Sequence, residues 1–196
     1  MRFFEKFKRV QEAILGKFNV RYKENLKGRL RGEFHIICRD AKTGRILEER
    51  HGHNIIVNTA SILIARLLKD NHEPTSGISY LAVGTGAVGW NLQNPPQPTV
   101  SQTMLYSEIA RKAFTTEDVN FIDPETGDPT TVPTGVVDFT VTFNETEAVG
   151  PWVEMGLFGG DATELKDSGT EVNYRTFPVL NKSSSMVMTI TFRITA

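Results

Sequence analysis

Residues 186–195 read MVMTITFRIT. Met186, Met188, Ile190, Phe192 and Ile194 alternate with Val187, Thr189, Thr191, Arg193 and Thr195, the two-residue period that divides a strand's side chains between two faces. Working back from it, Glu33–Arg39 alternates in the same way, with Phe34, Ile36 and Cys38 on one side. The turn residues DAKTG (40–44) and a returning segment Arg45–Arg50 complete a hairpin, Gly44 supplying the left-handed backbone that closes it. Further strands are expected at Ile78–Val83, Ala113–Phe121, Val136–Phe143, Trp152–Phe158 and Val172–Pro178. One internal helix interrupts them, capped by Asn58 or Thr59, with Ala60, Ile64, Leu67 and Leu68 as its buried face. Leu105–Lys112 reads as a helical turn, and residues 87–103 and 123–134 read as loops. Short strands separated by turn signals define the expected fold class: mainly β, a β-sandwich with one inserted helix over residues 32–196.

Residues 1–31 differ from this domain. They hold ten Lys and Arg against Glu5, Glu12 and Glu24, a net charge of +7, which leaves -8 on the rest of a chain whose total is -1. Phe3, Phe7, Val10 and Ile14 keep the spacing of one helical face, flanked by Phe4 and Leu15. The segment is expected to form a basic amphipathic helical arm. A helix this short needs a surface, either its own domain or a partner subunit, ahead of a membrane or nucleic acid. No apolar run reaches the roughly 18–20 residues that span a bilayer, and the charged N-terminus does not read as a signal peptide, so a soluble protein made in the cytosol is expected.

Candidate chemistry is sparse. Gly84-Thr85-Gly86 follows a strand but lacks the Lys-Ser/Thr of a phosphate-binding loop, so it reads as a tight turn. His51 and His53 share one side of a strand without a third metal ligand nearby. Asp123, Glu125 and Asp128 are interrupted by Pro124 and lack calcium-loop spacing. Cys38 is the single cysteine and lies mid-strand, where a small buried hydrophobe is the default. No nucleophile elbow and no paired catalytic carboxylates occur, so no enzyme, cofactor, metal or small-molecule substrate is expected.

Three stretches carry a resemblance. NIIVNTASILIARLL (54–68) comes first, then ISYLAVGTG (78–86) with its Pro-rich continuation and LYSEIAR (105–111). VEMGLF (153–158) follows, then YRTFP (174–178), Lys182 and the terminal alternating strand. The ordered set resembles the small structural proteins of tailed bacteriophages and is similar to the attachment segments of their tail-fibre and baseplate proteins. The resemblance implies a non-enzymatic virion component of the neck, tail or baseplate, with fibre anchoring as a task. It would be made in the host cytoplasm and assembled in symmetric copies with other virion proteins. A capsid decoration protein is the alternative location. A carbohydrate-binding module for host recognition is the alternative class, with Trp90, Trp152 and Tyr106 as stacking candidates. Within the shared residues, Glu108 and Arg111 are expected to form an ion pair on a helical turn, or to pair with a neighbouring strand. Glu154 stands in an otherwise buried strand and requires a partner, for which Arg111 or Arg175 is expected. Trp90, in a Gly/Pro loop, is the candidate interface aromatic.

Overall fold

The computed structural model describes residues 30–69 and 76–196. The elements in chain order begin with β1 (Arg31–Asp40), β2 (Ile46–Ile56), α1 (Thr59–Lys69), β3 (Ser76–Gly84) and β4 (Glu108–Ala113). They continue with β5 (Val119–Ile122), β6 (Pro129–Thr130), β7 (Val136–Phe143), β8 (Gly150–Gly160), β9 (Thr170–Lys182) and β10 (Met186–Thr195). All pairings are antiparallel and form one ten-stranded sheet in the order β4-β3-β8-β9-β2-β1-β10-β7-β5-β6. The unit Arg31–Thr195 is compact. Residues 1–29, and with them Phe3, Phe4, Phe7, Val10 and Ile14 of the expected arm, lie outside the described residues. Arg31, grouped with the arm from sequence, begins β1.

The sheet's two halves face each other in a sandwich-like arrangement because its apolar side chains repeat in register. Phe34, Phe192 and Phe139 form one cross-strand row, Ile36, Ile190 and Val141 the next, and Cys38, Met188 and Phe143 the third. All nine are buried. They meet Leu81, Val83, Trp152, Met155, Leu157, Phe177 and Leu180 of the other half in a single core. Phe143 and Trp152 stack edge to face at 5.3 Å, an arrangement aromatic quadrupoles favour. The halves share β2: its register with β1 runs from Ile46 to Asn54, and Ile55 and Ile56 then pair with Tyr174 and Asn173 of β9.

The mainly-β reading with one inserted helix therefore holds, and four local expectations are corrected. Leu105–Lys112 is not helical; Glu108–Ala113 pairs with β3 as an edge strand, because its apolar residues find a sheet to extend. The expected strand Ala113–Phe121 is broken by a 3-10 turn at Thr116–Asp118, where Asp118 accepts bonds from the Thr115 amide and hydroxyl. In α1, Ala60 and Leu63 are buried, whereas Leu67 and Leu68 are 45% and 73% exposed. Only the first half of the helix rests on the sheet, and the Thr59 hydroxyl ties it there by donating to the Glu171 carbonyl at 2.6 Å. The 123–134 loop is mostly exposed, but Pro129–Thr130 turns back to pair with Phe121–Ile122.

Candidate functional site

Between β3 and β4 the chain leaves the sheet at Gly84 and returns at Glu108. This excursion is too long for an ordinary connection, and loops of such length that stay ordered are commonly functional. Its order comes from Glu154 of β8, which is fully buried. Oε1 of that carboxylate accepts from the Gly86 amide at 3.0 Å and the Ser107 amide at 2.9 Å. Oε2 accepts from the Tyr106 amide at 3.0 Å and the Tyr174 hydroxyl at 2.7 Å. One side chain thus clasps both ends of the loop. Gly84 is required at the neck, because a Cβ there would lie 2.5 Å from the Glu154 oxygen. Further along, the Leu92 carbonyl accepts from the Val179 amide at 2.7 Å, the Pro96 carbonyl from the Thr176 hydroxyl at 2.7 Å, and the Val100 carbonyl from the Asn58 amide at 2.8 Å.

What the clasp presents is apolar and uncharged. Thr85, Gly86, Trp90, Leu92 and Tyr106 line an open depression of about 510 Å³. Trp90 and Tyr106 meet edge to face at 4.8 Å, with Tyr106 57% exposed and Val88 fully exposed beside them. Gly86 has φ +73°, and a Cβ there would stand 2.4 Å from the Trp90 ring, so the glycine allows the indole to lie against the backbone. The signal for this surface was available in the sequence: the 34 residues from Pro74 to Ser107 contain no Asp, Glu, Lys, Arg or His. Loss of charge with retained Trp, Tyr and Met is the composition of interface centres.

Arg111 and Glu108 form a bidentate pair with both contacts at 2.7 Å, almost wholly buried. A register slip between Val83 and Gly84 of β3 brings Glu108 onto the same side as Arg111, although both lie in a strand. The guanidinium also donates to the carbonyls of Thr163 and Ser168 at 2.9 and 3.0 Å, and covers the rings of Tyr80 and Phe158. The Asp167 amide donates to Glu108 at 3.1 Å. The pair therefore pins the 161–169 loop.

The cation expected against Glu154 is absent. Arg111 is committed to Glu108, and Arg175 donates to the His53 carbonyl at 2.9 Å and lies over the Phe34 ring. Three amides and a phenol take the place of a guanidinium, and backbone donors leave no trace in a residue pattern. Trp152 is wholly buried, with its indole N–H donating to the Ala148 carbonyl at 2.7 Å, so it is core and not a stacking surface.

Glu171, which sequence reasoning passed over, is fully buried on β9 with neither carboxyl oxygen hydrogen-bonded. Burial, and secondarily the charge of Glu154, push its pKa up to about 9, so it is protonated at neutral pH. Tyr174 is likewise held well above the ordinary phenol range, by burial first and then by Glu154. Lys182 is buried with its ammonium on the carbonyls of Asn144 and Glu145, and Lys112 pairs with Glu147 at 2.7 Å, so two lysines brace the β7–β8 turn. His51 and His53 lie on β2, where His53 is 3.9 Å from Glu33. Among the described residues no group of three His, Cys, Asp or Glu is placed to hold a metal ion.

No family model matches the chain, and no curated protein sequence matches it.

Proposed function

We propose that the chain is a non-enzymatic structural component of a tailed-phage particle, of the neck, tail or baseplate kind. It assembles in symmetric copies with other virion proteins and anchors fibres. The observation that carries this reading is the clasped loop: a preorganised, uncharged surface with Val88, Trp90 and Tyr106 presented to solvent. Ordering a surface before it meets its partner removes part of the entropic cost of association. The resemblance supports the same reading, because its separate stretches converge here. Gly84–Gly86, Tyr106–Glu108, Glu154 and Tyr174 come from four parts of the chain and form one network around the loop neck. In this reading the shared residues are a mount, and the loop is what each protein mounts on it. A capsid decoration role uses the same surface at another location.

Light scattering of the full-length chain over a concentration series tests it, beside Val88→Asp and a Phe3→Ser/Phe7→Ser double variant. A defined oligomer in the wild type that either variant weakens is the expected result. Folded monomers in all three would remove the basis for self-assembly.

The carbohydrate-binding alternative has one observation in its favour, the exposed Tyr106 ring set against Trp90. The depression offers the hydroxyls of Thr85 and Ser107 but no charged or amide side chain to bracket sugar hydroxyls, which places a protein surface first. Binding on a glycan array that Tyr106→Ala abolishes would reverse that order.

A further inference from the structure

We propose that the depression formed by Trp90 and Tyr106 binds a proline-rich, extended segment of a partner protein. The inference rests on the reading of the clasped loop as a partner surface, and it names the chemistry of that partner. Trp90 lies with one side of its indole against the backbone: a Cβ on Gly86 would stand 2.4 and 2.8 Å from its Cε3 and Cζ3 atoms. Those atoms are across the ring system from Nε1, so the N–H is on the side away from Gly86. It forms no hydrogen bond among the described residues, and neither do the hydroxyls of Thr85, Tyr106 and Ser107, which line the same depression. Trp152 is the contrast, with its indole N–H buried and given to the Ala148 carbonyl.

These free groups select a ligand. The lining side chains hold no charge, no amide and no imidazole, so their hydrogen bonding is an indole N–H and three hydroxyls on an otherwise apolar surface. An ordinary extended peptide brings an N–H with every carbonyl, and each N–H that loses water here without an acceptor is costly. Proline brings a carbonyl and no N–H. A proline-rich segment already holds the left-handed polyproline helix, three residues and about 9 Å per turn, with its carbonyls open to donors. Its apolar rings dock on aromatic-lined grooves. Trp90 and Tyr106 supply such a lining: their planes are inclined at 63°, which presents two aromatic surfaces instead of one flat stack. Both sides are ordered before they meet, the loop by Glu154 and the ligand by its prolines, which lowers the entropic cost of binding. Charge agrees as well, since the uncharged run from Pro74 to Ser107 offers nothing to pair with an ionic ligand. The loop's own prolines are not the occupant: Pro95 is buried, and the Pro96 carbonyl accepts from Thr176.

The test uses the full-length chain and a short oligoproline peptide, with a Gly–Ser peptide of equal length as control. Proton NMR resolves the indole N–H groups of Trp90 and Trp152 by exchange with solvent, fast for the first and slow for the buried second. The expected result is a saturable shift and slowed exchange of the Trp90 proton on adding oligoproline, with the Trp152 proton unmoved and no response to the Gly–Ser peptide. By calorimetry, Tyr106→Ala should weaken oligoproline binding by about tenfold or more. Trp90→Phe, which keeps a ring and loses the donor, should weaken it about threefold to tenfold. A Trp90 proton that ignores oligoproline overturns the proposal, as does an equal response to the Gly–Ser peptide, or variants that bind as the wild type does. If a variant does not fold, the wild-type titration decides by itself. The proposal and the reading beneath it fail separately. An oligomer that Val88→Asp weakens, beside a Trp90 proton that ignores oligoproline, removes the proline ligand and leaves the partner surface.

Discussion

Glu154 and Glu171 lie on the paired strands β8 and β9, and Glu154 accepts four hydrogen bonds whereas Glu171 accepts none on its carboxyl. The difference divides their work. The first carboxylate is ionic glue for backbone that has no ladder of its own. The second is a buried acid whose charged form the fold excludes.

Replacing Glu154 by Ala strands three amides and the Tyr174 hydroxyl at once. Each buried donor left without an acceptor costs about 1–3 kcal/mol, and with part of them rehydrated at the loop neck a total loss of about 3–5 kcal/mol is expected. Glu154→Gln, which keeps an acceptor, should cost less. Guanidinium denaturation of both variants checks the ranking, and a loss below about 1 kcal/mol for Glu154→Ala contradicts the clasp.

Glu171 makes stability pH-dependent with a definite sign. Its pKa rises from 4.5 in the unfolded chain to about 9 in the fold. Between those values the native state holds the extra proton, so its stabilising effect is complete below the lower value and is lost as pH rises through the upper one. Each pH unit in that window removes about 1.4 kcal/mol at most. Urea midpoints should fall steadily from about pH 5 to about pH 9, and Glu171→Gln should flatten the profile and exceed the wild type at neutrality.

Arg111→Ala leaves Glu108 buried without its counter-charge and frees the 161–169 loop. A loss of about 3–5 kcal/mol is expected. Arg111→Lys should recover little, because a single ammonium cannot span two carboxylate oxygens and two carbonyls. Limited proteolysis should cut both variants first between Asp161 and Gly169.

Most of the fold was legible because most strands bury one face: Met188, Ile190 and Phe192 alternate with Thr189, Thr191 and Arg193 as their environments do. β4 was not, since EIARKA carries a Glu and an Arg at helical spacing, and only the register slip against β3 shows why a strand accepts them. At the site, Glu154 could be singled out as a carboxylate in a buried strand, but its amide partners have no residue identity to read. Glu171 follows the polar segment DSGT and looks like the solvated start of a strand; its burial depends on Gly156 and on the cluster around Phe158 and Tyr174, distant in sequence.

Val88 is wholly exposed. Val88→Asp should leave stability within about 0.5 kcal/mol while placing a charge in an uncharged surface. Association measured by light scattering should weaken although thermal unfolding is unchanged.

Cys38 is 2% exposed, and burial, with the Glu48 charge, raises its thiol pKa. A native sample should resist a thiol reagent, and labelling should appear only with global unfolding. Rapid labelling in native buffer would show that the row formed with Met188 and Phe143 opens locally.

The strand shared by both halves has a mechanical meaning. Because β2 passes without a break from its partnership with β1 to its partnership with β9, tension on one half reaches the other through covalent backbone. Shear between the halves must rupture ladder hydrogen bonds along β2 instead of merely sliding two greasy faces apart. A body wired in this way can carry a load across its width while the loop mounted on β3, β4 and β8 keeps its shape.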